Sequence, residues 1–70
     1  MYDNLTEKEL SVLNFLKYHI KDKGYPPSVR EICKNLDIKS TSTVFGILNT
    51  LEKNKYIRKD PSKTRAIEIL

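Results

Sequence analysis

Four consecutive hydroxyl residues, Ser40, Thr41, Ser42 and Thr43, lead into Val44, Phe45 and Gly46. Hydroxyls suit a helix start, because a side-chain oxygen there can accept from an unpaired backbone N–H. One cap needs only one of them. Gly46 then falls inside the helical stretch, where glycine costs about 1 kcal/mol relative to alanine. Projected at about 100° per residue, Val44, Ile47, Leu48 and Leu51 share one side of this helix. Ser42, Gly46, Asn49 and Lys53 lie opposite, flanked by Thr43, Phe45 and Thr50. That second face is small, polar and uncharged toward its start, with one aromatic. Hydroxyls and amides can hydrogen-bond to base edges in a DNA major groove, and an apolar ring can meet a thymine methyl. The helix start offers N–H groups to a phosphate. A glycine in the middle of such a face lets the backbone lie closer to the groove. The competing reading packs Phe45 on another element and makes Gly46 mere tolerance.

A second candidate group follows directly. Lys53, Lys55, Arg58, Lys59, Lys63 and Arg65 fall within 13 residues, with Asp60 the only acid among them. Residues 1 to 35 hold six basic and five acidic groups, a net of +1; residues 36 to 70 hold seven and four, a net of +3. The +4 total is therefore concentrated in the C-terminal half, which points to a polyanion partner. Cations beside a reading helix can clamp phosphates, which orient a protein without reading sequence. The plainer reading is a solvated hairpin whose lysines protect an exposed edge. The candidate DNA-facing residues are Ser40, Thr41, Ser42, Thr43, Phe45, Gly46, Asn49 and Lys53. The candidate phosphate contacts are Ser28, Arg30, Lys39, Lys59, Lys63 and Arg65.

These residues need elements to hold them. "LTEKELSVLNFLKYHIKDKG" reads as a first helix. Thr6 and Glu9 have capping-box spacing. Leu10, Leu13, Leu16 and Ile20 recur at helical spacing, widened by Val12 and Phe15, and Gly24 is the stop. "YPP" cannot continue the helix. "SVREICKNLD" is a second, short helix, with Ser28 and Glu31 repeating the box and Val29, Ile32, Cys33 and Leu36 as its stripe. "DIKS" is a turn in which Ile38 plugs between the flanking helices. The third helix runs from Ser40 or Thr41 to Lys53 or Asn54. Its short gap from the second has helix-turn-helix spacing. The period then changes: "KYIRKD" and "TRAIEIL" read as strands around a "DPSK" turn. The expected fold is mainly α with a small β-hairpin, a winged helix-turn-helix of three helices plus a two-stranded wing.

Much chemistry is excluded. Seventy residues make one domain, with about 60% of the unfolded surface buried and no room for a two-lobed cleft. No serine has a base in a recognisable motif, and there is no Gly-rich phosphate loop or paired-carboxylate motif, so no enzyme and no cofactor are expected. Cys33, the single cysteine, reads as a small core residue rather than a reactive or metal-binding thiol. His19 is also alone and reads as a surface or packing residue, not a metal ligand. No apolar run reaches transmembrane length, and the polar N-terminus is not a signal peptide, so a cytoplasmic protein is expected.

"YPPSVREI", the run Ser40-Thr41-Ser42-Thr43-Val44, and the closing pattern R-K-D-P-x-K-x-R-A-I-E carry a resemblance from Leu5 to Leu70. The chain resembles the N-terminal DNA-binding domain of the LexA repressor family, in its Gram-positive form. That resemblance implies repression of DNA-damage (SOS) genes through inverted-repeat operators with GAAC and GTTC half-sites. It places base contacts on Ser42, Thr43, Phe45 and Gly46, and wing contacts on Lys59, Lys63 and Arg65. Phe45 stands where close relatives often carry histidine, which bears on base preference rather than on the groove. Full-length family members dimerise and cut their own linker with a Ser–Lys pair in a C-terminal domain, prompted by the RecA filament. None of that is in these 70 residues. The expectation is a fragment, monomeric or weakly dimeric, in the bacterial cytoplasm and associated with the nucleoid. A protein-interaction module and a sequence-blind nucleic-acid binder are the competing classes.

Overall fold

The structure, a computed structural model, describes residues 5–59 and 67–70. Its elements are helices α1 (Glu7–Lys23), α2 (Val29–Leu36) and α3 (Thr41–Lys53), then strands β1 (Ile57–Lys59) and β2 (Ile67–Ile69). This is the expected three-helix arrangement with a two-stranded hairpin.

Both capping boxes form. Thr6 Oγ1 accepts from the Glu9 N–H at 3.2 Å, and the Glu9 carboxylate accepts from the Thr6 N–H at 2.9 Å. Ser28 and Glu31 repeat the exchange at 3.1 and 3.4 Å. Each box satisfies two backbone donors that the first helical turn leaves open. α1 ends at Gly24, whose φ of 84° lies in the left-handed region that glycine enters without steric penalty. α2 ends at Asp37, also left-handed, with its N–H donating to the Cys33 carbonyl. Ile38 follows and is buried, as the plug between two helices requires.

One core joins all five elements. Val12, Leu13 and Leu16 of α1, Ile32 of α2, Val44, Ile47, Leu48 and Leu51 of α3, and Ile57 of β1 are buried together with Ile38. The α3 stripe is the expected one. The α1 stripe differs: Leu10, Phe15 and Ile20 are only half-buried, and His19 takes the fourth buried position. Its imidazole is a packing residue with both nitrogens engaged. Nδ1–H donates to the Tyr25 carbonyl at 2.9 Å, and Nε2 lies 3.2 Å from Glu31 Oε2. Phe15 and Tyr25 meet the ring edge-on at 5.7 and 5.5 Å. His19 therefore ties the end of α1, the Tyr25 turn and the α2 capping box into one junction. That explains why a polar ring sits where Ile20 was expected.

After α3 the chain reverses at Lys55, a non-glycine residue at φ 65°. β1 and β2 pair antiparallel with Ile57 opposite Ile69, Arg58 opposite Glu68 and Lys59 opposite Ile67. Ile67 and Ile69 pack against the core from β2. The "DPSK" turn, with Lys63 and Arg65, lies outside the described residues.

A core this small supplies only about 3–5 kcal/mol of net stability. His19 is buried, and losing its ring and its polar contacts costs about 1–3 kcal/mol, a large share of that total. We expect His19→Ala to lower unfolding free energy by about 1–3 kcal/mol in urea denaturation followed by circular dichroism. Tyr18→Ala, at a well-exposed position on the same helix, should stay within about 0.5 kcal/mol.

Candidate nucleic-acid interface

Because its apolar stripe is covered, α3 turns its other side to solvent. Thr41, Ser42, Thr43, Phe45, Gly46, Asn49 and Lys53 are all exposed. The outward face read from the sequence is thus one contiguous surface. Phe45 is 52% exposed and is not among the apolar residues packed against the core. The packing alternative for Phe45 fails in this structure. Gly46 has no internal reason to be glycine: a Cβ built there meets nothing within 4 Å. Thr50 is half-buried, and its hydroxyl donates back to the Gly46 carbonyl at 3.1 Å, so it is engaged within the helix.

The start of α3 differs from those of α1 and α2. Ser40 is its N-cap residue, yet no side chain caps it, and its first turn holds no acid. The other two helices have full capping boxes and acidic first turns. The backbone donors and partial positive charge at the start of α3 are therefore unscreened by the protein's own groups. The four hydroxyls were more than a cap required; Thr41, Ser42 and Thr43 stand exposed beside this terminus. Cys33 is half-buried, and its thiol donates to the Ser40 carbonyl at 3.9 Å, which joins α2 to the α3 N-cap.

The candidate phosphate contacts divide into groups. Arg30, near the start of α2, and Lys39, just ahead of α3, are exposed. Lys53 and Lys55 are exposed and form no ion pair among the described residues. Ser28 is half-buried, with its oxygen engaged in the α2 cap. Arg58 pairs across the strands with Glu68. Lys59 is drawn back toward α3. Its Nζ donates to Asn49 Oδ1 and lies 3.6 Å from Glu52 Oε1, while its backbone N–H donates to Glu52 Oε2 at 3.1 Å. Lys63 and Arg65 are outside the described residues. Sequence reasoning missed Glu52 and Glu68 as partners of these cations. Glu68 was readable, since a strand pairing at Arg58 brings opposite charges together; Glu52 was not.

The electrostatic result is simple. Glu52 places a carboxylate beside the outward face of α3, and the Lys59 ammonium pairs with it. Among the described residues, no group of three or more His, Cys, Asp or Glu could hold a metal ion. No described helix is long and apolar enough to cross a membrane.

A family model described as LexA DNA binding domain matches residues 2–66, nearly the whole chain. The chain belongs to the LexA DNA-binding domain family. It is 60% identical over all 70 residues to a LexA repressor of Caldicellulosiruptor saccharolyticus and, at the same identity, to one of Clostridioides difficile. It is 52% identical over 68 residues to a LexA repressor of Bacillus mycoides. The matches cover 35%, 33% and 33% of those relatives. The chain thus spans about a third of their length and corresponds to the family's DNA-binding part. The winged helix-turn-helix expectation and the family resemblance both hold.

Gly46→Ala separates folding from recognition. With open space around the new methyl, we expect stability to rise by up to about 1 kcal/mol. That is a Tm increase of roughly 4–8 °C for a domain this size, read by thermal denaturation. Weaker DNA binding by the same, more stable protein would place position 46 against the groove.

Proposed function

We propose that this chain is the sequence-reading domain of a transcriptional repressor of the DNA-damage (SOS) response. It binds double-stranded DNA at an inverted repeat, with α3 in the major groove and the hairpin along the backbone. The observation that carries this reading is the outward face of α3: small, neutral, exposed and continuous with an uncapped helix start. A major groove about 12 Å wide admits a helix, and N-terminal residues of the helix reach base edges. Ser42, Thr43, Phe45 and Gly46 supply the base-facing surface, with Asn49 one turn further on. Ser40 and Thr41 sit where a phosphate meets the helix start. Arg30, Lys39 and Lys53 supply exposed positive charge; Lys63 and Arg65, read from the sequence as further phosphate contacts, lie outside the described residues.

The relatives' name, repressor, supports regulation by occlusion of a promoter. In the full-length protein the domain is one of a pair. Two half-sites engaged together raise operator affinity by making the second contact intramolecular. The 70-residue chain on its own binds as a monomer or weak dimer. Release in response to the RecA filament and self-cleavage by a Ser–Lys pair belong to the remainder of the full-length protein. The site of action is the bacterial cytoplasm, at the nucleoid. A protein-interaction role would need a continuous apolar patch on this face, and Phe45 is its single large apolar side chain.

Fluorescence anisotropy tests the reading with two labelled duplexes, one carrying a GAAC–GTTC inverted repeat and one the same bases scrambled. Each is measured at about 50 and 200 mM salt, because every phosphate contact contributes about −0.9 to the slope of log K against log salt. The expected result is tighter binding to the repeat at both salts. Equal binding that fades together would leave a sequence-blind phosphate binder. Phe45→Ala should relax discrimination at one base pair by about 1–3 kcal/mol, with its circular dichroism spectrum unchanged.

A further inference from the structure

Asn49 lies on the outward face of α3, one turn beyond Phe45 and Gly46, and its side chain does not stand alone. Lys59 Nζ reaches from β1 and donates to Asn49 Oδ1. An ammonium has three donors and no acceptor, so only the amide oxygen can face it. Glu52 holds Lys59 in place twice, by accepting the Lys59 backbone N–H at 3.1 Å and by facing Nζ at 3.6 Å. The Lys59 and Glu52 side chains are 30% and 39% exposed, so the pair is partly shielded by its surroundings. With one of its oxygen's two lone pairs taken by the ammonium, Asn49 offers two N–H donors outward, while the acceptor site that remains lies beside a positive charge.

We infer that Asn49 reads DNA bases chiefly as a donor, biased so by the Lys59 ammonium on its oxygen, and that Lys59 is a positioning residue rather than a phosphate contact. The inference rests on the proposed insertion of α3 in the major groove. An asparagine with both ends free pairs with adenine, donating to N7 and accepting from N6. That pairing brings the adenine N6 donor to an oxygen already bonded to the Lys59 ammonium, whose positive charge opposes a second donor. Guanine presents O6 and N7, both acceptors, at the same edge. Asn49 therefore favours guanine over adenine at the base pair it meets. Glu52 sets the geometry without touching DNA.

The test uses the 70-residue chain and a duplex set that varies each base pair of a half-site in turn. Binding is measured by competition anisotropy for the unaltered chain, Asn49→Ala, Lys59→Met and Lys59→Arg. The unaltered chain should prefer guanine to adenine at one pair by about tenfold, and Asn49→Ala should lose that preference there alone. Lys59→Met should remove the guanine preference at the same pair with the salt slope unchanged. Lys59→Arg, which restores a donor, should keep it. If Lys59→Met instead weakens every duplex alike and makes the slope shallower by about 0.9, Lys59 touches a phosphate and the inference is overturned. A uniform loss in Asn49→Ala overturns it equally. If the unaltered chain discriminates no duplex, the reading of DNA sequence fails first. The pairing is then decided in the free chain by nuclear magnetic resonance. Lys59→Met must move the Asn49 side-chain amide signals, and unmoved signals overturn it without reference to DNA.

Discussion

Val44, Ile47, Leu48 and Leu51 have to leave water together, and the rest of the molecule is arranged around that burial. Each is worth about 1.5–3 kcal/mol when fully covered. A 70-residue chain has few elements with which to cover them. α1 supplies Val12, Leu13 and Leu16, α2 supplies Ile32, the turn supplies Ile38 and β1 supplies Ile57. Both other helices, the turn and β1 thus contribute to covering one side of α3. The opposite side is left to solvent by construction, and its rotation about the helix axis is set by the core. The outward face is placed by apolar packing on the far side of the same helix.

Packing alone leaves the angles between elements loosely determined, and polar junctions tighten them. Glu31 satisfies the start of α2 and faces His19 on α1. Cys33 joins α2 to the carbonyl at the α3 N-cap. Glu52 and Lys59 join α3 to the hairpin. Each junction engages groups that would otherwise be unpaired at an element's end or edge. The start of α3 is the exception among the helices. The fold caps α1 and α2 fully and leaves the start of α3 without a side-chain cap.

Local features were legible in the sequence because their causes are local. Thr6 with Glu9 and Ser28 with Glu31 are three residues apart, and Gly24 needs no distant partner to stop a helix. The α3 stripe could be read from period alone; period set Phe45 beside the outward face but left its packing open, and the structure decides for exposure. His19 was not legible as a buried junction. Its partners, Tyr25 and Glu31, come near only after α1 and α2 have crossed. It lies three residues after Leu16, a position on the apolar side of α1, and that was the one available signal. The link from Lys59 to Asn49 depends on the reversal at Lys55, a left-handed residue with no glycine or asparagine to announce it. Charge counting made Lys59 a candidate phosphate contact because counting cannot see that the chain folds back on Glu52.

The Lys59 backbone N–H has a further consequence, for how the molecule behaves in a crowd of its own kind. Leu70 N–H donates to the Tyr56 carbonyl, which makes residues 56 and 70 a hydrogen-bonded pair. By the alternation of antiparallel ladders, the amide at residue 59 then points away from β2. It is an open edge of the kind that invites another chain to add a strand. Glu52 occupies that amide and brings a carboxylate to the edge. An incoming strand would have to displace the carboxylate before it could pair there. The contact that joins α3 to the hairpin therefore also puts a negative charge in the path of a third strand at that edge.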